Sequence, residues 1–136
     1  MVMTPEQIAK PGTEHAHQSA LFCWINSEGC RVWPSLQWAH AIPNGGDRNP
    51  AVAGRLKAEG VKAGVFDIFV PVARGRWHGL YVEMKKPGRE RETDKGISDA
   101  QRRFGLAMHE QGYYTTVNYS WLTARVVICS YMQGEL

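Results

Sequence analysis

The sequence predicts a single α/β domain spanning residues 1–136. Two β-rich runs lie at its centre, at residues 64–72 and 80–85, and a polar turn around Gly75 separates them. Helix-start signatures flank these runs on both sides, where a Thr or Ser cap precedes Pro, Glu or Gln in the first turn. A chain of 136 residues is long enough for one domain with a real core and too short for two.

Composition and charge exclude several classes of protein. Hydrophobic residues make up 43% of the chain and charged residues 21%, which is typical of a globular protein and excludes a disordered one. No apolar run is long enough to cross a bilayer and no signal-peptide pattern begins the chain, so we expect a soluble, cytoplasmic protein without a membrane partner. Three cysteines without a CxxC pair indicate neither a disulfide framework nor a zinc site. A net charge of +3 permits nucleic acid as a partner without requiring it.

The first third of the chain is predicted to contain two helices followed by extended structure. A capping box predicts a short helix near the N-terminus, and Thr13 caps a second helix over residues 14–26, which Gly29 ends. Glu14 lies in the first turn of that helix, where the helix dipole favours a carboxylate, and the pattern alone favours this structural role. Residues 31–42 are predicted to be extended structure that is interrupted at Pro34.

Residues 40–48 form a turn-rich loop. Its Asn44-Gly45-Gly46 sequence implies backbone conformations that small residues adopt most easily, so the loop can approach a ligand closely. An ordinary surface loop explains the same pattern equally well. Pro50 then begins a short helix, which Gly60 terminates.

The part of the chain after the central runs predicts a helix, a strand and a final helix. Ser98 begins a helix that continues to about residue 111, and Gln101 completes its capping box. Residues 113–119 alternate loosely and predict a strand, after which Ser120 caps the last helix. The inward face of that last helix is predicted to hold Leu122, Val126 and Cys129.

The two central runs predict a hairpin with a longer, Gly-containing loop. Gly75 is the midpoint between Asp67 and Glu83, so a symmetric hairpin places these carboxylates opposite each other, with Cβ atoms roughly 4.5–5.5 Å apart. Because side chains alternate along a strand, the two faces of the hairpin differ. The apolar face, which we expect in the core, holds Ile68, Val70, Val72, Leu80, Val82 and Met84. The other face holds Asp67, Phe69, Tyr81, Glu83 and Lys85.

The second face of this hairpin predicts metal chemistry. Two carboxylates this close repel each other unless a cation or a proton lies between them, which favours a hard divalent ion such as Mg²⁺ or Mn²⁺. Lys85 supplies a positive charge on the same face, where a phosphate would lie. A surface hairpin with solvated charges is the alternative, and it is the better explanation for so short a motif taken alone.

Four features in order make the chain resemble a known family over nearly its whole length. They are Glu14 on a helix, the loop at residues 40–46, the run at residues 60–67, and Glu83-Met84-Lys85 followed by Ser98-Asp99-Ala100-Gln101. The chain thereby resembles the virus-type replication-repair nuclease (VRR-NUC) family of the PD-(D/E)XK nuclease superfamily. This resemblance implies a restriction-endonuclease-like core, with a mixed central sheet flanked by helices. The family usually has Pro where this chain has Phe66, directly before Asp67.

The resemblance also implies a metal site. Asp67 and Glu83 would bind Mg²⁺ or Mn²⁺ together with the backbone carbonyl of Met84, and Glu14 would contribute a further carboxylate directly or through water. Lys85 would hold the attacking water or the scissile phosphate.

Further residues would contact the substrate if the resemblance holds. Gln101, on the neighbouring helix, would orient water or substrate. Most of the 16 Lys and Arg residues lie between Arg48 and Arg103 and surround the predicted site. Candidate DNA-binding residues are Asn44, Arg48, Arg55, Lys62, Arg102 and Arg103.

The resemblance implies an enzyme, a metal-dependent endonuclease that hydrolyses phosphodiester bonds in branched DNA. We expect it to act like a Holliday-junction resolvase, as a homodimer, in the cytoplasm of a bacterial or phage-infected host cell. Three alternatives stay open: a non-catalytic protein that binds DNA by its structure, a restriction-type endonuclease, and a flap-cleaving repair nuclease.

Overall fold

A mixed four-stranded sheet lies at the centre of residues 2–43 and 49–136, the part of the chain that the computed structural model describes. Its strands are β1 (His40–Ala41), β2 (Ile68–Val70), β3 (Leu80–Met84) and β4 (Tyr114–Asn118). They lie side by side in the order β1-β2-β3-β4. The β1–β2 and β2–β3 pairs are antiparallel, whereas β3 and β4 run parallel. The predicted α/β fold with a mixed central sheet is therefore confirmed.

Helices flank this sheet. They are α1 (Pro5–Ala9), α2 (Glu14–Trp24), α3 (Cys30–Val32), α4 (Pro50–Ala58), α5 (Asp99–Glu110) and α6 (Trp121–Met132). Thr4 and Ser98 form the predicted capping boxes of α1 and α5, while Thr13 and Ser120 cap α2 and α6 through their hydroxyls. Within the described part of the chain, none of these helices is both long and apolar enough to span a membrane.

The central hairpin has the predicted register. Ile68 pairs with Val82, Phe69 with Tyr81 and Val70 with Leu80. Continued by one residue, this register places Asp67 opposite Glu83. The tip of the hairpin turns at Gly75, whose φ of 56° lies in the left-handed region that glycine adopts without a steric penalty.

One face of the sheet packs into the main core. Its side chains from β2, β3 and the turn are fully or almost fully buried, as predicted: Ile68, Val70, Val72, Leu80, Val82 and Met84. Helices α2 and α6 pack against each other and against this face. Two hydrogen bonds connect these helices to each other and to the sheet. The Tyr131 hydroxyl donates to the Val72 carbonyl at 2.6 Å, and the backbone N–H of Trp121 donates to Nδ1 of His17 at 3.0 Å.

The opposite face of the sheet carries an aromatic cluster, which is defined here as Phe69, Tyr81, Phe104 and Tyr113. The rings of Phe69 and Tyr81 stack with centroids 4.5 Å apart, and Tyr81 meets Phe104 of α5 edge-on at 5.1 Å. Tyr113 lies edge-on to Phe69 at 6.0 Å. Since these residues are only partly buried, this face has a smaller apolar layer than the main core.

The prediction for residues 25–42 is wrong in two respects. The helix does not end at Gly29, because it continues through a π-helical turn (Ile25–Gly29) into α3. Gly29 instead allows close packing, since a Cβ there would lie 3.3 Å from Cδ1 of Leu36. The segment predicted as extended forms a 3₁₀ turn at Pro34–Trp38, which places the fully buried Leu36 in the core, and only β1 is a strand.

The predicted inward face of α6 is also wrong. Leu122 and Val126 are 47% and 61% exposed, and Cys129 is only partly buried. The buried residues of this helix are Trp121, Ala124, Ile128, Tyr131 and Met132. Two large aromatic side chains can bury more apolar area than Leu and Val can, so Trp121 and Tyr131 determine which way the helix is turned.

Candidate active site

Two carboxylates lie at the end of the hairpin, where β2 begins and β3 ends. The Asp67 N–H donates to Oε1 of Glu83 at 3.2 Å, and the Met84 N–H donates to Oδ2 of Asp67 at 3.0 Å. Each carboxylate therefore accepts a hydrogen bond from the backbone of the opposite strand. These bonds hold the two side chains at the same edge of the sheet, in line with the hairpin register.

Lys85 and Gln101 join this pair in one connected group. Gln101 donates from Nε2 to Oε2 of Glu83 at 2.8 Å, and Nζ of Lys85 donates to Oε1 of Gln101 at 2.9 Å. Nζ of Lys85 also lies 3.5 Å from Oε2 of Glu83. Glu83 and Lys85 are 2% and 5% exposed, so both ionisable groups are buried, and each has hydrogen-bonding partners.

Gln101 has a structural role as well as a place in the site. Its Oε1 accepts a hydrogen bond from the Ser98 N–H at 3.0 Å, which completes the capping box of α5. The same oxygen accepts a hydrogen bond from the Lys85 ammonium. The helix cap and the Glu83–Lys85 pair therefore fix the same amide, so the start of α5 is positioned directly by the site.

Close packing of residues 64–66 against α5 explains why Gln101 reaches the hairpin. A Cβ on Gly64 would lie 2.4 Å from the backbone of Ala100, and the φ of Gly64 is +90°, so this position requires glycine. The ring of Phe66 lies 5.4 Å from that of Phe104 and is 3% exposed. Gly105 leaves room for this ring, because a Cβ there would lie 3.0 Å from its Cζ. Phe66, which stands where proline is usual in the family, is thus a packing residue between the hairpin and α5.

Burial and mutual repulsion raise the pKa values of the carboxyl groups. Burial, followed by the negative charge of Asp67, raises the pKa of Glu83 to about 8, against the opposing effect of Lys85. Burial raises the pKa of Asp67 too. Burial and the charge of Asp67 raise the pKa of Glu14, while Lys85 and Arg89 lower it. A proton or a bound cation would relieve this repulsion, since Lys85 and Arg89 do not balance three acidic groups.

The oxygen atoms of Asp67 and Glu83 fit a small, hard cation. Mg²⁺ binds proteins through one or two carboxylates and keeps several waters, and these two side chains supply that number. Glu14, the first residue of α2, is close enough for its charge to interact with that of Asp67. However, no three His, Cys, Asp or Glu side chains in residues 2–43 and 49–136 form a set that could hold one ion. The contribution of Glu14 to an ion, directly or through water, stays a prediction.

A solved structure described as a VRR_NUC domain protein is similar to this chain. The match has a TM-score of 0.72 and 27% sequence identity, and it covers 89% of this chain and 88% of the other. The chain is a VRR-NUC domain. No protein-family profile matches the sequence, and no curated protein is similar to it. The predicted resemblance to the VRR-NUC family is confirmed by the shared structure.

The DNA-binding residues predicted for this VRR-NUC domain lie on several elements. Asn44 and Arg48 fall outside the described residues. Arg55 on α4, Lys62 and Arg103 on α5 are exposed and form no ion pair within residues 2–43 and 49–136. Arg102 differs, because its amino groups pair with Asp99 at 3.1 Å and Asp94 at 3.6 Å. Their contacts with DNA stay a prediction.

Sequence reasoning missed one residue that positions Lys85. Asn118 ends β4 and is 4% exposed, and its carbonyl accepts the Lys85 N–H at 2.8 Å. Its side-chain amide donates to Oγ1 of Thr116 at 3.1 Å. A polar residue at the end of a predicted strand was the available signal, but only the parallel pairing of β3 with β4 in this VRR-NUC domain brings it next to Lys85.

Proposed function

We propose that this VRR-NUC domain is a divalent-metal-dependent nuclease that hydrolyses phosphodiester bonds in DNA. The observation that carries the proposal is the connected group of Asp67, Glu83, Lys85 and Gln101, in which acidic oxygens, a buried ammonium and an amide meet at one edge of the sheet. This combination suits a nuclease, because a phosphodiester must be bound, polarised and attacked by water. The similarity to a VRR_NUC domain protein supports the same conclusion.

Asp67 and Glu83 would hold Mg²⁺ or Mn²⁺, with the Met84 carbonyl as a further ligand and Glu14 acting through water. A bound metal ion of this kind polarises a phosphate oxygen and lowers the pKa of its water towards neutrality. Glu83 must lose its proton to become a ligand, so metal and proton compete for the same oxygens.

Lys85 would stabilise the negative charge that develops on the phosphate during attack. Its ammonium is held by Gln101 at 2.9 Å and is 3.5 Å from Glu83, so its position is set before substrate binds. Gln101 orients both Lys85 and Glu83, and this is the role that its two hydrogen bonds support. A preorganised charge of this sort contributes to catalysis because no reorganisation is needed during the reaction.

We propose branched DNA, in particular the four-way junction, as the substrate, and a homodimer as the acting form. The support is the family resemblance, and a junction has two equivalent strands that two sites in a dimer would cut. The contacts expected from Arg55, Lys62 and Arg103 would be to phosphates, which position a duplex without reading its sequence. We therefore propose selection of DNA by structure.

One cleavage experiment tests the nuclease and its substrate. Purified protein is incubated with duplex, flap, splayed-arm and four-way-junction DNA of matched sequence, in Mg²⁺, in Mn²⁺ and in EDTA. We expect metal-dependent products from the junction, and none from the Glu83→Gln variant. DNA binding without any cleavage product in either metal would indicate a non-catalytic DNA-binding protein instead of a nuclease. Products from flaps alone would identify a flap-cleaving repair nuclease, and a fixed sequence at all cuts would identify a restriction-type enzyme.

Light scattering tests the proposed dimer separately. We expect a mass of about twice the 15.3 kDa of the chain, reached at micromolar concentration. A mass that stays at 15.3 kDa at all concentrations, with and without junction DNA, would contradict the dimer.

A further inference from the structure

Arg89 is a cation close to the carboxylates that the sequence analysis did not include in the site. It begins the 3₁₀ turn Arg89–Arg91, five residues after β3 ends. Its Nε donates to both carboxylate oxygens of Glu92, at 3.2 Å each. The side chain is 36% exposed, so the guanidinium is held against the protein and is still open to solvent.

The two amino groups of Arg89 are available to a ligand. Within residues 2–43 and 49–136, its hydrogen bonds use Nε alone, and neither Nη1 nor Nη2 has a partner. An arginine anchored in this way presents two parallel donor groups. This arrangement binds a backbone phosphate through its two non-bridging oxygens. Arg102 provides the contrast, because both of its amino groups are already paired with aspartates.

The loop is shaped around this guanidinium. A Cβ on Gly96 would lie 2.9 Å from Nε of Arg89 and 3.1 Å from its Nη2, so the side chain lies directly on the backbone there. Asp94, Lys95 and Gly96 all have positive φ values, of 54°, 55° and 70°, which L residues rarely adopt. The Tyr119 hydroxyl holds this segment by donating to the Lys95 carbonyl at 2.7 Å, and Arg102 holds Asp94.

Arg89 is also near enough to Glu14 for their charges to interact. Its positive charge lowers the pKa of Glu14, as Lys85 does, while burial and Asp67 raise it. Lys85 contacts Glu83, and the charge of Arg89 acts on Glu14. Two of the three carboxylates of the candidate site therefore each have a cation nearby. A DNA strand that passes over these acids would need such charges for its own phosphates.

We propose that the two amino groups of Arg89 bind a phosphate of the DNA backbone beside the carboxylates, and that Glu92 and Gly96 hold the guanidinium in position for it. The proposal rests on the proposed function, because it takes DNA as the ligand. The contact would position the strand at Asp67 and Glu83 and would not depend on base sequence.

Salt-dependent DNA binding tests this contact without relying on cleavage. Fluorescence anisotropy with junction DNA in EDTA, over a series of salt concentrations, compares the wild type with Arg89→Gln and Arg89→Lys. Loss of one phosphate contact should reduce the slope of log affinity against log salt by about 0.9. We expect Arg89→Gln to bind about 10-fold more weakly, the size of effect expected for the loss of one charge-assisted hydrogen bond. Arg89→Lys should keep the slope and recover only part of the affinity, because an ammonium lacks the two parallel donors.

Arg91→Gln is the matched control, since Arg91 lies on the same turn and is exposed. We expect its effect on affinity to be less than a third of that of Arg89→Gln, and its circular dichroism melting curve to match the wild type. Equal losses for the two variants would indicate a general effect of charge and overturn the proposal, as would unchanged affinity and slope in Arg89→Gln.

Gly96→Ala tests the positioning of Arg89 with no change of charge. An added Cβ displaces the guanidinium, so we expect Gly96→Ala to bind DNA more weakly than the wild type. The double variant Gly96→Ala/Arg89→Gln should bind DNA as tightly as Arg89→Gln alone. Additive losses would contradict the proposed role of Gly96. If the wild type binds DNA but cuts none in Mg²⁺ or Mn²⁺, the nuclease proposal fails while these binding results still decide the role of Arg89.

Discussion

The two faces of the central sheet bury very different side chains. On the face toward α2 and α6, Ile68, Val70 and Leu80 are all fully buried and need only shape to pack well. On the other face, the aromatic cluster occupies one part, and the buried Glu83 and Lys85 occupy the end. A buried apolar side chain gains free energy from burial alone, whereas a buried charge requires a partner for each of its polar atoms.

This difference shows how one hairpin supports both a core and a chemical site. The alternation of side chains along β2 and β3 separates the two sets, so the charged group does not interrupt the apolar layer. Its members are instead satisfied by the opposite strand and by Gln101 at the start of α5. We expect the first face to control stability and the second to control activity, and four predictions test that division.

The largest effect on stability is expected on the apolar face. Leu80→Ala should lower the free energy of unfolding by about 2–5 kcal/mol, since a fully buried leucine leaves a cavity. Urea unfolding followed by circular dichroism measures this loss. The control is Leu122→Ala on α6, which is 47% exposed and should change stability by about 0.5 kcal/mol or less. Similar losses in the two variants would mean that α6 buries the face we first predicted.

On the charged face, Glu83→Gln should separate activity from stability. We expect at least a ~100-fold loss of metal-dependent cleavage, because the amide keeps the shape but not the charge of a metal ligand. The melting temperature should change little, because the change removes repulsion between Glu83 and Asp67 and also one of the two oxygens that accept hydrogen bonds from Asp67 and Gln101. Glu110→Gln, at an exposed position of α5, is the control and should leave both cleavage and melting unchanged. A clear drop in the melting temperature of Glu83→Gln would show that its charge supports the fold.

Two glycines in helices test how tightly α5 packs on the second face. Beyond its chain neighbours and the backbone of α4, no atom of the described residues lies within 4 Å of a Cβ placed on Gly54 of α4, so Gly54→Ala should gain up to about 1 kcal/mol from helix propensity. Gly105 of α5 faces the ring of Phe66 at 3.0 Å, so Gly105→Ala should be less stable than Gly54→Ala by about 1–3 kcal/mol. Chemical unfolding of both variants measures the difference. An equal gain at both positions would show that Phe66 can move freely.

The smallest effect is a dependence of stability on pH at the junction of α2 and α6. Nδ1 of His17 accepts the Trp121 N–H, and burial lowers the pKa of His17 below its usual 6.5. As the pH falls below about 6.5, His17 binds a proton in the unfolded state before it does so in the folded state. The folding stability that is present above about pH 6.5 is therefore lost as the pH falls towards the folded pKa of His17. The loss should be about 1 kcal/mol, the net contribution of one hydrogen bond.

Comparison with His17→Gln isolates this contribution from the carboxyl groups. Their raised pKa values act in the opposite direction, because stability from those groups falls as pH rises. The difference in unfolding free energy between the wild type and His17→Gln, measured from pH 5 to pH 8, should therefore shrink on acidification. A difference that stays constant over this range would show that the His17 bond does not titrate.

Local signals predicted those parts of the structure that depend on neighbours in the chain. The capping boxes at Thr4 and Ser98 form as expected, because a cap involves residues only three positions apart. The register of Asp67 and Glu83 followed from the position of Gly75, since a hairpin joins adjacent segments. The same local logic was wrong for α6, where several rotations of the helix bury apolar residues and packing against α2 and β3 selects one.

The family resemblance added Gln101 to the candidate site. By itself, the sequence determined the order of most helices and strands, the two faces of the hairpin and the candidate residues Asp67, Glu83 and Lys85. These depend on periodicity and on contacts between neighbouring segments, which spacing along the chain records. Only the tertiary structure decided that Gln101 bridges Glu83 and Lys85 and that Asn118 holds the Lys85 backbone. It also decided that Arg89 lies on Gly96, with two amino groups that have no partner among residues 2–43 and 49–136. Such contacts depend on where separate elements meet in space, and the energy that selects them comes from burial and hydrogen bonding across the whole fold.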